Sequence, residues 1–173
     1  MSGKTIWFTG LPCSGKTTIA SELYRKLKEQ GMRHIYHLDG DVVRNGLCGG
    51  LGFSILDRRE NLRRIAEVCK MMNEAGVLVL ASFVSPTENM RALVRSIIPD
   101  LQLVHVHCSV EECERRDVKG MYARARKGEI QDFTGVGSEY QAPHDADIIV
   151  DTEELSLNAC VFSVYDRMLF VKE

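Results

Sequence analysis

Gly10-Leu11-Pro12-Cys13-Ser14-Gly15-Lys16-Thr17-Thr18 (GLPCSGKTT) decides how the rest of the chain is read. Two glycines flank four residues, and Lys-Thr follows the second, which is the G-x-x-x-x-G-K-[ST] spacing of a phosphate loop. The chemistry needs each type. Glycines let backbone N–H groups turn inward around phosphate oxygens, the lysine reaches the β/γ-phosphates, and the Thr hydroxyl serves Mg²⁺. Gly10, Cys13, Ser14, Gly15, Lys16, Thr17 and Thr18 are therefore expected against the phosphates of ATP. A glycine turn without ligand would need no particular flanks, but this loop has both flanks a cradle requires. Thr5-Ile6-Trp7-Phe8-Thr9 is β-branched and aromatic, as a buried strand is. Ile19, Leu23 and Leu27 then share one helical face, and Gly31 closes that helix. The helix N-terminus aims its partial positive charge at the phosphates.

Outward from the loop, strand and helix alternate. A second strand ends near Leu38, and residues 56–76 form a long amphipathic helix. An apolar strand fills 77–85, helix 87–98, strand 101–108, and a helix follows Ser109, whose pairing with Glu112 reads as a capping box. A short strand at 146–151 and a helix over 156–170 close the chain. This alternation means βαβ units and a mainly parallel sheet, an α/β fold in a single domain over 1–173. A net charge of -2 gives no reason to expect nucleic acid or a membrane surface. No apolar run is long enough to cross a membrane, and the N-terminus lacks a signal-peptide layout. Six scattered cysteines contain no C-x-x-C pair, so reduced thiols in a cytoplasm are expected.

Ligands of such sheets bind beyond the carboxyl ends of the strands. The first three strands end at the loop, at Asp39-Gly40-Asp41 and at Ser82-Phe83-Val84-Ser85, so these ends should meet at one crevice. Phosphoryl transfer needs positioning, charge neutralisation and a group to orient the nucleophile. Asp39 stands where an acid organising Mg²⁺, directly or through water, would stand, and Asp41 where a base would; as a bare turn the same residues would be unremarkable in composition. Arg44, Arg58, Arg59, Arg63 and Arg64 follow closely. Some can pair with Glu60 or Glu67 on a solvated face, and the rest suit a second, anionic substrate. Residues 115–140 are basic and punctuated by Gly120, Gly128 and Gly135, as a lid over phosphates would be, or a plain basic surface helix. Phe53 and Phe133 can stack on a base or anchor their loops.

Together the segments DGDVVRNGL, LGFSILDRRENLRRI, SFVSP, RDVKGMYARARKGEIQDFTG and YQAP resemble the adenylylsulfate (APS) kinase family, over roughly residues 6–143. The resemblance implies a three-layer α/β/α P-loop kinase fold with a helical lid, and the reaction ATP + APS → ADP + 3′-phospho-APS. It implies that Lys16 and Thr17 serve ATP and Mg²⁺, that Asp41 takes the proton of the ribose 3′-hydroxyl, and that Asp39 helps organise the metal. Arg44, Arg58 and Asn61 would bind APS, Phe53 and Phe133 would sandwich its adenine, and Ser85 would be an active-site serine. The stretch Arg115–Asp117 and Lys119 would belong to the lid, Arg115 on the nucleotide and Lys119 on substrate. A small-molecule nucleotide acceptor and a homodimer are the implied partners.

The chain also departs from that pattern. Val42 replaces Asn, Thr87 replaces Tyr and Val118 replaces Pro, while an acidic residue is lost at Gly137 and a proline at Glu139. Many members carry a longer segment ahead of the loop. These departures leave open a paralogous kinase for another nucleotide with an APS-like anhydride, such as a cytidine diphosphoramidate in capsule modification. A P-loop regulatory NTPase is the third reading. It leaves the arginines after DGD without a task, and a GTPase would carry N-K-x-D, which does not occur.

Overall fold

Thr5–Thr9 forms strand β1, and all five of its residues are buried. A strand buried on both faces belongs at the centre of a covered parallel sheet. The computed structural model describes residues 3–169; Phe170, expected in the last helix, lies outside them. In it β1 runs between β3 (Leu78–Ser82) and β4 (Leu101–His107), with Phe8 opposite Ser82 on one side and Val104 on the other. Strand β2 (Ile35–Asp39) is one edge and β5 (Ile148–Asp151) the other. The order is β2-β3-β1-β4-β5, and every pairing is parallel. The three strand ends that carry the polar motifs are thus neighbours, as the strand-end rule requires.

Side-chain alternation along β1 divides the core into two faces. Ile6 and Phe8 pack with Ile19 and Leu23 of α1 (Lys16–Glu29) and with Val161 and Val164 of α7 (Leu157–Leu169). Trp7 points the other way, to Leu62, Ile65 and Cys69 of α3 (Ile55–Glu74) and Val94 of α4 (Glu88–Ile97). Helices on both faces make the three layers. The caps explain where the helices begin. Ser54 accepts from Asp57 N, Thr87 from Met90 N and Ser109 from Glu112 N. At Ser109 the capping box is one-armed, because the Glu112 carboxylate holds Arg115 and Arg116 instead.

Two short helices, α5 (Val110–Arg115) and α6 (Met121–Arg126), build the expected lid region. They sit on a third, small cluster in which Tyr122, Cys113 and Phe133 pack against Leu11 of the phosphate loop. A further helix, α2 (Gly40–Asn45), grows straight out of β2.

Leu23 has no exposed surface. Leu23→Ala should cost about 2–5 kcal/mol through lost transfer energy and the cavity left behind. Urea unfolding should show a lower midpoint with an unchanged slope.

Candidate active site

The phosphate loop closes around its own lysine. Lys16 Nζ donates to Gly10 O at 3.0 Å and Leu11 O at 2.6 Å, and the side chain is buried. Burial pushes its pKa down to about 8, against the pull of Cys113, Cys13 and Asp39. Such a lysine still carries its proton at neutral pH, and a bound polyphosphate would supply the counter-charge it lacks. Gly10 cannot be replaced without a clash: a Cβ there would stand 2.5 Å from Val106 O and 2.7 Å from Ser14 Oγ. Gly15 (φ 99°) and Cys13 (φ 64°) are both left-handed, which turns the loop back on itself. Cys13 Sγ lies 3.9 Å from Asp117 Oδ1 at the foot of the lid.

Beside the loop a cleft of about 400 Å³ is lined by Gly15, Thr17, Arg116, Val118, Thr152 and Leu155, among others. Thr152 follows the end of β5. Its hydroxyl donates to Ser14 O at 3.0 Å and accepts from Arg116 Nη1 at 2.9 Å. Arg116 Nη2 also donates to Thr152 O at 2.8 Å. The lid's root is thereby tied to the loop. Arg115, expected on the nucleotide, has its side chain 75% exposed and paired with Glu112, so the residue at the cleft is its neighbour Arg116. The sequence reading did not single out Thr152; its place at a strand's carboxyl end is the signal that could have found it.

Across the crevice, Thr17 Oγ1 donates to Asp39 Oδ2 at 2.7 Å. The other oxygen of Asp39 accepts Asp41 N at 2.9 Å and caps α2. One carboxylate thus joins the loop and the helix that carries Asp41. A hydroxyl and a carboxylate are hard oxygen donors, and they fit Mg²⁺, which takes few protein ligands and completes its shell with phosphates and water. No group of three or more metal-binding side chains occurs among the described residues, in keeping with so sparse a set. The Asp41 carboxylate is exposed and forms an ion pair with Lys119 of the lid.

One turn along α2 from Asp41, Arg44 lies 4.3 Å over the ring of Phe53, which is 57% exposed. Arg44 Nη1 donates to Gly52 O at 3.0 Å. Arg58 donates to Phe53 O (2.8 Å), Asp132 O (2.8 Å) and Thr134 Oγ1 (3.1 Å). All of these partners are neutral. Burial lowers the pKa of both guanidiniums, and Arg44 adds to the effect on Arg58. Two cations held by neutral oxygens next to an exposed aromatic ring make a receptor for an anionic ligand with a planar part. Asn61 is buried nearby on α3, and its Oδ1 has no hydrogen-bond partner among the described residues. Arg63 and Arg64 stand apart from this group, both paired with Glu60.

Two expected site residues turn inward. Phe133 is buried, with its ring edge-on to Tyr122 at 4.9 Å. Ser85 is buried as well, and its Oγ accepts from Trp7 Nε1 at 3.1 Å and donates to Thr9 Oγ1 at 2.9 Å.

The chain is similar to known proteins in both sequence and fold. The sequence pattern described as adenylylsulphate kinase matches residues 2–151. The adenylyl-sulfate kinase of Shewanella amazonensis is 48% identical over 169 residues, 96% of this chain and 85% of that protein. That of Shewanella oneidensis is 50% identical over 165 residues, 94% of this chain and 80% of that protein. The structure of the Mycobacterium tuberculosis APS kinase in complex with AMPPNP and APS superposes with a TM-score of 0.92 at 43% identity, covering 97% of this chain and 98% of that one. The Acinetobacter baumannii shikimate kinase, 17% identical with a TM-score of 0.62 over 99% of this chain and 97% of that one, shares the fold.

The two neighbouring arginines of α5 should separate cleanly. Arg116→Ala is expected to weaken ATP binding about ten-fold, the scale of a lost charge-assisted contact. Arg115→Ala should change it less than about two-fold. Isothermal titration of both variants with Mg·ATP checks this.

Proposed function

The chain belongs to the adenylylsulphate kinase family, and we propose on that footing that it transfers the γ-phosphoryl group of ATP to the ribose 3′-hydroxyl of APS, giving ADP and 3′-phospho-APS. The observation that carries the acceptor half is the pair Arg44 and Arg58, held by neutral oxygens around the exposed Phe53 ring. That arrangement suits a phosphosulfate with an attached adenine.

In this reading the loop amides and Lys16 hold the triphosphate. Thr17 and Asp39 would hold Mg²⁺, whose charge would offset that of the phosphates. Asp41 accepts the proton of the 3′-hydroxyl as the new O3′–P bond forms and the bond from Pγ to the bridging oxygen breaks, with ADP leaving. Asp41 pairs with Lys119 before the acceptor arrives. That contact takes Asp41 Oδ2 and leaves Oδ1 for the acceptor hydroxyl. The lid, with Lys119, would close over the phosphates and keep water from competing. Val42, where the resemblance expects Asn, is 66% exposed, and the hydrogen bonds of Asp41 do not run through it. The departure therefore leaves the base in place. We further propose that the working unit is a homodimer in the cytoplasm, where the six free thiols remain reduced.

ADP release with Mg·ATP should be fast with APS at low micromolar concentration, and slow with cytidine diphosphate-linked acceptors or with none. Preference for a cytidine acceptor would overturn the assignment. Asp41→Ala should lower kcat by about 10²–10⁴, the usual worth of a general base, and leave the Kd for ATP within about three-fold. Near-normal turnover would remove Asp41 as the base.

A further inference from the structure

Beneath the acceptor half of the crevice lies a buried cation that the reaction above does not use. Arg91, on α4, is 4% exposed. Its Nη1 donates to Ser85 O at 3.0 Å, its guanidinium lies 5.9 Å from the Tyr140 ring, and its Nε has no partner among the described residues. Burial lowers its pKa, with Tyr140, Asp145 and Glu88 pulling the other way. A guanidinium in such surroundings is a poor stabiliser, because an apolar chain of similar volume would avoid the desolvation cost. Its position has to be explained by what it holds.

It holds a strained turn. Ser85 sits at φ 39°, a left-handed conformation that is strained for a non-glycine residue. The carbonyl of Ser85 is taken by Arg91, and its hydroxyl by Trp7 Nε1 and Thr9 Oγ1. Thr9 in turn bonds Val84 O at 2.7 Å, and the Tyr140 hydroxyl at 3.0 Å. The Trp7 ring packs on Phe83 with centroids 5.2 Å apart. The Phe83 ring underlies Gly40, where an added Cβ would come within 3.6 Å of it. Gly40 lies between Asp39 and Asp41. A continuous packed path therefore runs from Arg91 through Ser85, Trp7 and Phe83 to the turn that aims both carboxylates.

We propose that Arg91 is a positioning residue for the transfer, setting the placement of Asp41 through Ser85, Trp7, Phe83 and Gly40. It touches no substrate. Removing its hold relaxes the Ser85 turn, frees the Phe83 ring and loosens the Asp39–Asp41 turn, while the loop around Lys16 stays intact. The proposal rests on the reaction assigned above, and one readout does not depend on it. Trp7 is the sole tryptophan of the chain, so its emission reports the path directly.

The test compares Arg91→Met, Arg91→Lys and Phe83→Leu with the parent protein. APS turnover by the parent checks the reaction itself. Arg91→Met should lower kcat about ten-fold, the scale of a small misplacement of a reacting group, with the KM for ATP within about two-fold and a shifted Trp7 emission. Arg91→Lys, which keeps the charge and one donor, should recover part of kcat. Phe83→Leu should cost a similar factor, and Arg91→Lys with Phe83→Leu should cost less than the product of the two single losses, because both act on one path. This cycle carries the test if Arg91→Met does not fold. An unchanged kcat in folded Arg91→Met, an unmoved Trp7 emission, or losses that multiply would overturn the proposal.

Discussion

A buried ammonium keeps the phosphate loop in shape. Lys16 lies beneath the loop, and its ammonium donates to the carbonyls of Gly10 and Leu11. Those carbonyls turn toward the ammonium where Cys13 and Gly15, both left-handed, fold the backbone back on itself. Every other part of the site is fastened to this knot. Ser14 is tied to Thr152 and through it to Arg116, Leu11 packs on the lid cluster, and Thr17 reaches Asp39. The ligand that best satisfies Lys16 is an anion, so binding and loop geometry favour one another.

Charge is distributed by burial. Several arginines are matched to glutamates: Arg63 and Arg64 with Glu60, Arg115 and Arg116 with Glu112, Arg25 with Glu22 and Glu29. Exposed pairs of this kind contribute little to stability. Arg44 and Arg58 are held by neutral oxygens, and that is where an anion gains most. Within the run 58–64, Arg63 and Arg64 are thus taken by Glu60, while Arg58 keeps neutral partners.

Most of the architecture is legible in the sequence because its signals are local. The β-branched run of Thr5–Thr9, the apolar spacing of Ile19, Leu23 and Leu27, and the caps at Ser54, Thr87 and Ser109 each specify an element without reference to distant residues. The strand-end rule then brings Gly10–Thr18, Asp39–Asp41 and Ser82–Ser85 to one crevice. Features set by tertiary context are not legible in this way. Whether Phe133 or Phe53 shows its ring to solvent depends on Tyr122, far along the chain from Phe53. The choice between Arg115 and Arg116 depends on Thr152, and the inward turn of Ser85 on Trp7 and Thr9. Each of these partners is distant in sequence, and periodicity carries no information about it.

The position of β1 has a consequence for the order in which the molecule is made. The central strand β1 is synthesised before either of its neighbours, β3 and β4, with Thr5 opposite Val79 on one side and Leu101 on the other. A nascent chain that has not yet delivered Leu101–His107 has nothing to place on that side of β1, and the contact that fits Gly10 against Val106 cannot form. Pairings this far apart in sequence close late, because loop entropy must be met before they form. The phosphate loop is made before the strand it must fit against, and so takes its final shape late. Until then an apolar strand, Ile6-Trp7-Phe8, stays uncovered, so the segment most central to the finished enzyme is also the one most in need of shelter during synthesis.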